Sequence, residues 1–292
     1  MTPGRVMVSD VALNDGRSIP QVGFGVYQIA PEHTAAAVSR ALAAGYRLVD
    51  TSMAYGNEAE VGDAVRGGRK PVFVTTKYFN ADLTHGYQDA QSAFHASVER
   101  LGLDHVDLYL LHWPMKLQDR YVQAWKGLID LRGSKGLGSI GVSNFQAEHL
   151  VRIIDQTGVT PAVNQIELHP YFQQPDLREE HARRGIVTEA WGPLGQGKVL
   201  EDPALVAIGD AHAKTAAQVV LRWHLQLGNV IIPKSTTPDR VRENIDILDF
   251  ELSDAQMSVI EGLDRGQRSG PDPGTFEFPR DYRGRHFQTR PE

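Results

Sequence analysis

The stretch R-L-V-D-T-S-M-A-Y-G-N-E-A-E-V-G-D-A-V, Arg47 to Val65, holds one complete unit of the fold. Arg47 to Thr51 reads as a short buried strand, and Asn57 to Val65 as a short helix after a loop. Two residues in this unit stand out. Asp50 is a bare carboxylate at the end of an apolar strand, and Tyr55 follows it five residues later in the loop.

Working outward, the same strand-then-helix order recurs in both directions. Upstream, V-G-F-G-V-Y (Val22 to Tyr27) precedes an Ala-rich helix from Pro31 to Ala44, ended by Gly45. Further upstream, Asn14-Asp15-Gly16 lies between two short alternating runs and predicts an N-terminal β-hairpin over about residues 8–20. Downstream, Val72 to Lys77 leads to the helix Tyr87 to Leu101, and Val106 to His112 to Arg120 through Leu131. Ser139 to Asn144 leads to Ala147 through Thr157, and Ala162 to Leu168 to Pro175 through Arg184. Ile186 to Trp191 leads through a Gly-rich loop to helices at Pro203 to His212 and Thr215 to Leu227, and Val230 to Ser235 leads to Pro238 through Ile247. A further helix covers Ser253 to Gly262.

Eight such units without a compositional break predict a parallel sheet closed into a (β/α)8 TIM barrel, a single domain over residues 1–292. A doubly wound open sheet is the competing architecture at this point. The tail from Gly266 to Glu292, rich in Gly, Pro and Arg with Phe276, Phe278 and Phe287 spaced through it, reads as a long C-terminal loop over one end of the barrel.

Composition narrows the chemistry. Thirty Lys and Arg against thirty-six Asp and Glu give a net charge of −6, which repels polyphosphate backbones and argues against nucleic acid as a partner. The absence of cysteine removes thiolate nucleophiles and Cys-ligated metal centres, and no metal site is expected. No apolar run approaches the ~20 residues of a membrane span, so no membrane partner and a cytoplasmic location are expected.

In a barrel of this kind the chemistry sits at the C-terminal strand ends. Strand two ends in Asp50 with Tyr55 in its loop, strand three in Lys77, and strand four in His112, followed by Trp113. Each has an ordinary structural reading: a capping Asp, a loop aromatic, a lysine stem along the surface, a satisfied histidine. All four on three neighbouring strands are harder to dismiss. A phenol is a weak acid at neutral pH, a cation within roughly 4–6 Å favours its ionised form, and a neutral imidazole can orient a carbonyl. The set suits proton delivery to a carbonyl oxygen, with Asp50 holding Lys77 in place. A hydride donor is still required.

The ordered strings D-T-S-M-A-Y-G-N-E, T-T-K, L-L-H-W-P, G-V-S-N-F, N-Q-I-E-L-H-P, A-W-G-P-L-G-Q-G and I-P-K-S-T-T-P-D-R-V-R-E-N resemble the signatures of the aldo-keto reductases from about Val22 to Leu263. The likeness is closest to the bacterial 2,5-diketo-D-gluconate reductase-like branch. The resemblance implies a barrel that binds NADP(H) in extended form without a Rossmann domain, and no G-x-G-x-x-G follows a strand here. It implies Asp50, Tyr55, Lys77 and His112 as a catalytic tetrad with Tyr55 the general acid. It implies Ser143, Asn144 and Gln165 on the nicotinamide carboxamide and Trp191 beneath the ring. Gly192, Leu194, Gly195, Gln196 and Gly197 would lie beside the pyrophosphate. Lys234, Ser235, Thr236 and Arg240 would form the 2′-phosphate pocket, with Glu243 and Asn244 near the adenine.

Tyr27, Phe79, Trp113 and Phe145 match aromatic positions of the substrate pocket. Relatives often carry Trp at Phe79, Ala at Ser52 and a basic residue at Thr237; the first two departures bear on substrate shape, the third on cofactor choice. The implied activity is NADPH-dependent reduction of aldehydes and ketones, α-dicarbonyls and keto-sugars included, by a monomer, with NADH a weaker donor. Two rivals stand beside it: a barrel isomerase or lyase using Lys77 as a Schiff-base amine, and a nicotinamide-binding sensor without catalysis.

Overall fold

The computed structural model describes residues 9–68, 70–79 and 87–277. A hairpin of β1 (Asp10–Ala12) and β2 (Ser18–Pro20) opens the chain. Its turn places Gly16 at φ +87°, and Leu13 N–H donates to the Arg17 carbonyl at 2.8 Å. Residue 8, the expected start of the hairpin, lies outside the described residues.

Eight parallel strands then alternate with helices: β3 (Gly23–Gly25), α1 (Pro31–Ala44), β4 (Leu48–Asp50), α2 (Glu58–Arg66), β5 (Phe73–Tyr78), α3 (Tyr87–Leu101), β6 (Val106–Leu111) and α4 (Tyr121–Leu131). The second half contains β7 (Leu137–Ser143), α5 (Ala147–Thr157), β8 (Val163–Glu167), α6 (Pro175–Arg184), β9 (Val187–Trp191), α7 (Pro203–His212), α8 (Ala216–Gln226), β10 (Val230–Ile231), α9 (Pro238–Glu243) and α10 (Asp254–Glu261).

Strands β3 through β10 lie in chain order in one sheet, and the sheet meets itself. Val22 bridges Ile231 in parallel, Ile231 N–H donates to the Gln21 carbonyl at 3.0 Å, and Gly25 N–H to the Pro233 carbonyl at 3.2 Å. That seam requires glycine: a Cβ on Gly25 would stand 2.9 Å from the Ile232 carbonyl oxygen. The result is a (β/α)8 TIM barrel, and the open-sheet alternative is excluded.

Two apolar regions follow from the period of two along each strand. Leu48, Leu108, Leu110, Val163, Val230 and Ile232 fill the barrel interior, and Leu13 and Ile19 of the hairpin close it from one end. The outward residues pack against the helices around Trp125, Trp223, Tyr46 and Phe94, each buried. The interior packing forms the floor of the site; Leu108→Ala there would cost about 2–5 kcal/mol.

Several elements are shorter than expected, β10 and α9 most of all. β10 stops at Ile231 because Pro233 has no N–H to continue a ladder. α9 stops at Glu243 instead of Ile247 because Gln218 of α8 takes the Asp246 carbonyl at 2.7 Å, so the chain leaves the helix to meet it. No helix among the described residues is long and apolar enough to cross a membrane.

Candidate active site

The loop that presents Tyr55 is held at both ends. Ser52 starts a single 3-10 turn, Met53–Tyr55, by accepting Ala54 N–H on Oγ at 3.2 Å, and Gly56 ends it in the left-handed region at φ +67°. The buried Asn57 then donates through Nδ2 to the Val26 and Ile29 carbonyls, both at 3.2 Å, and accepts Thr51 Oγ1 at 2.8 Å. Glu58, also buried, accepts Thr76 Oγ1 at 2.6 Å and Arg100 Nε at 2.6 Å. The Asn-Glu that closes the sequence motif therefore acts as scaffold, pinning the Tyr55 loop to the segment after β3, to β5 and to α3.

Asp50, Lys77 and His112 stand at the same end of consecutive strands. Lys77 is fully buried and its Nζ lies 2.5 Å from Asp50 Oδ1 and 2.9 Å from the Thr51 carbonyl. Burial pushes the Asp50 carboxyl up from its ordinary value, while Lys77 and the Gln165 amide act against it. Lys77 Nζ also lies 5.2 Å from the centre of the Tyr55 ring.

The electrostatic balance at Tyr55 differs from the expectation that Lys77 would lower its pKa. Desolvation comes first and pushes the phenol well above 10, with Asp50, Tyr27 and Glu189 adding to it. Lys77 is already committed to Asp50, so its field is largely cancelled at the phenol. Tyr55 is thus held protonated, as a proton donor requires, and gives up its proton only when a stronger base develops beside it.

His112 is 8% exposed, and burial together with Lys77 keeps it well below its ordinary 6.5, so the ring is neutral at working pH. Its Nδ1 lies 3.2 Å from Ser52 Oγ. The Tyr55 and His112 rings meet edge to face at 5.9 Å, and Tyr27 lies 5.0 Å from Tyr55. Four groups on neighbouring strands thus share one mouth, as their positions at strand ends suggested. Ser52, expected to affect substrate shape, is fully buried behind His112 and cannot touch a substrate.

Beneath them lies a residue that the sequence reading passed over. Glu189, fully buried on β9, sits beside Gln165 in the strand register, and Gln165 Nε2 donates at 2.9 Å to both Glu189 Oε2 and Asp50 Oδ2. Asp50, the partner of Lys77, accepts from this NH2 group, which leaves the Gln165 amide with its oxygen turned away from the pair. Burial above an apolar floor and the nearby Asp50 push Glu189 up to about 8. The signal was available: a carboxylate in the middle of V-T-E-A-W is as anomalous as Asp50.

The expected cofactor residues fall into three groups. Ser143, Asn144, Gln165 and Trp191 form one connected patch on β7, β8 and β9. Ser143 Oγ donates to the Gln165 carbonyl at 3.0 Å, Asn144 Nδ2 to the His112 carbonyl at 3.0 Å, and Trp191 Nε1 to Asn144 Oδ1 at 2.8 Å. Gly192, Leu194, Gly195, Gln196 and Gly197 form the loop after β9. Gly192 and Gly197 adopt positive φ of +58° and +86° and a Cβ on either would meet nothing within 4 Å, so the backbone there is open to a ligand.

Lys234, Ser235, Thr236 and Arg240 lie after β10 and on α9, with Lys234, Thr236 and Arg240 exposed. Asn244 is buried there, while Glu243 accepts Thr215 Oγ1 at 2.7 Å.

Aromatic rings line the mouth: Tyr27, Phe79 (6.4 Å from His112) and Trp113. Phe145 does not join them. It is fully buried between Tyr121 and His149, at 5.7 and 5.8 Å, because the left-handed Asn144 (φ +64°) breaks the strand alternation and sends the next side chain outward.

The C-terminal segment supplies a further wall. Phe276 packs on Trp113 at 4.4 Å, Glu277 accepts Leu117 N–H at 2.8 Å, and the buried Glu167 accepts Gly270 N–H at 3.1 Å. Phe278, Phe287 and the remainder of the expected loop to residue 292 lie outside the described residues.

Comparison with known proteins agrees with this geometry. Residues 21–265 match the model of the Aldo/keto reductase family. An aldo-keto reductase of Mycobacterium sp. (strain KMS) is 54% identical over 271 residues, 92% of this chain and 98% of that protein. The morphine 6-dehydrogenase of Pseudomonas putida is 47% identical over 279 residues, 90% of this chain and 94% of that protein. Among solved structures, a Gox0644 mutant in complex with NADPH superposes with a TM-score of 0.90 at 46% identity, covering 94% of this chain and all of that one.

Proposed function

Because this chain belongs to the aldo/keto reductase family, we propose that it reduces aldehydes and ketones to alcohols with NADPH as the preferred donor and NADH a weaker one. The observation that carries this reading is the buried Asp50–Lys77 pair beside Tyr55 and the neutral His112 at one aromatic mouth. When bound, the reduced nicotinamide supplies a hydride to the carbonyl carbon. His112 orients the carbonyl oxygen by a hydrogen bond, and Tyr55 donates the proton that the developing alkoxide takes up.

Asp50 takes part through Lys77, keeping the ammonium fixed beneath the phenol. Ser143, Asn144 and Gln165 hold the carboxamide, the Gln165 oxygen accepting from its NH2, and Trp191 offers a face for the ring. The open backbone from Gly192 to Gly197 suits a pyrophosphate. Lys234 and Arg240, with the Ser235 and Thr236 hydroxyls, suit a phosphate on the adenosine ribose, and this added charge favours NADPH. Thr237 contributes no charge.

An aromatic, uncharged mouth admits α-dicarbonyls, keto-sugars and bulkier carbonyls alike, and the 2,5-diketo-D-gluconate reductase-like branch remains our placement within the family. We expect a cytoplasmic monomer. The test follows oxidation of NADPH and NADH against a panel of these carbonyls. Turnover with NADPH at least tenfold above NADH supports the reading; turnover unchanged when Lys234 and Arg240 are both replaced by Ala contradicts the phosphate assignment. Borohydride trapping of a substrate on Lys77 would instead favour Schiff-base chemistry.

A further inference from the structure

Ser52 is fully buried, so its hydroxyl calls for an account. We propose that Ser52 is a positioning residue for His112: its hydroxyl gives its proton to Nδ1 and places the single imidazole N–H on Nε2, the nitrogen that meets the substrate.

The hydrogen-bond inventory leads to this assignment. Oγ already accepts Ala54 N–H at 3.2 Å, which starts the 3-10 turn carrying Tyr55. Its one proton then has two acceptors in range, His112 Nδ1 at 3.2 Å and the Lys77 carbonyl at 3.5 Å. The carbonyl contact is at the outer limit of a hydrogen bond and well beyond the usual O–H···O range of ~2.5–3.0 Å. The reverse arrangement, Nδ1–H donating to Oγ, would load Oγ with two donors and leave its proton to that long contact.

A neutral imidazole has one donor and one acceptor, so occupation of Nδ1 by the serine proton settles where the ring proton sits. The surroundings agree: burial first, and Lys77 after it, oppose a second ring proton and keep the imidazole in its single-proton form. Ser52 itself has little freedom, because it is pinned between the end of β4 and the turn it caps. One hydroxyl therefore links the loop that carries the proton donor to the tautomer of the group that orients the carbonyl.

The catalytic consequence rests on the carbonyl-reduction reading; the tautomer does not, and the experiment separates the two. Nitrogen-15 spectra of the full chain labelled at histidine, without any ligand, report which ring nitrogen carries the proton, with His112 assigned by its absence in His112→Gln. The expected wild-type pattern is an unprotonated Nδ1 and a protonated Nε2. In Ser52→Ala the two signals move toward one another as the ring samples both forms, and Ser52→Thr, which keeps the hydroxyl, moves them back.

In turnover, Ser52→Ala lowers kcat about tenfold with little change in NADPH affinity, well short of the ~10⁴-fold loss that a wholly wrong histidine tautomer costs in a serine protease. A protonated Nδ1 in the wild type, or an unchanged pattern in Ser52→Ala, overturns the proposal. Absence of carbonyl reduction by a wild type that shows the expected tautomer overturns the functional reading and leaves the Ser52 assignment standing.

Discussion

Replacing Lys77 by Met tests the buried ion pair at the centre of the site. Lys77 has no exposed side-chain surface, Asp50 has 3%, and the ammonium serves both Asp50 Oδ1 and the Thr51 carbonyl. Met fills a similar volume but leaves Asp50 with only the Gln165 amide and the Thr51 carbonyl short of a donor. Removing one partner of a fully buried pair costs about 3–5 kcal/mol, chiefly because the remaining charge is uncompensated.

Asp50→Asn in the same chain removes that charge, so the double variant should recover at least half of the loss while activity stays absent. The penalty has a definite pH sense. Without its cation Asp50 binds a proton more tightly in the folded than in the unfolded state, so Lys77→Met loses stability relative to wild type as pH rises above the unfolded carboxyl value near 3.8. Urea unfolding at pH 5 and pH 8 measures both effects as a midpoint shift at constant slope. A Lys77→Met protein within 1 kcal/mol of wild type at pH 8, or a double variant no more stable than the single, would refute the uncompensated-charge reasoning.

Other consequences are equally direct. Glu189 is raised from 4.5 to about 8, so it keeps its proton in the folded chain after the unfolded chain has lost it. Stability should therefore fall as pH rises between those values, by on the order of 4–5 kcal/mol at 1.36 kcal/mol per pH unit, and Glu189→Gln should flatten the curve in urea titrations from pH 5 to 9. Glu167→Ala removes the acceptor for Ser269 and Gly270 N–H and should speed amide exchange across residues 268–277, a loss of about 1–3 kcal/mol of local stability. Phe276→Ala removes the ring stacked on Trp113 and should raise KM for aromatic carbonyls several-fold with kcat little changed, in steady-state assays.

The barrel was legible because most strands announce themselves by a short apolar run and most helices by a cap or a following glycine; Gly45, Gly158 and Gly185 each follow a helix that ends where it was read to end. The grouping of Asp50, Tyr55, Lys77 and His112 was legible because all four fall at the same end of three neighbouring strands, although each alone has an ordinary structural reading. Legibility failed where the physics depends on what faces a residue across the barrel.

Glu189 lies in mid-strand, and nothing in V-T-E-A-W says that Gln165 and Asp50 stand opposite. Phe145 was misplaced because a left-handed Asn144 reverses the alternation, and φ cannot be counted off a sequence. The Tyr55 phenol was assigned the wrong direction of shift because desolvation outweighs a cation already paired with Asp50, and burial is a property of the assembled mouth. Ser52 was credited to substrate shape although it lies one layer behind the site.

The central claim is that Tyr55 delivers the proton. It is tested most directly by NADPH oxidation with an aldehyde in Tyr55→Phe, alongside NADPH affinity measured by quenching of tryptophan fluorescence. The account predicts turnover reduced at least a thousandfold, on the order of 4 kcal/mol in the barrier, with affinity within threefold of wild type. Turnover within tenfold of wild type at unchanged affinity would contradict it.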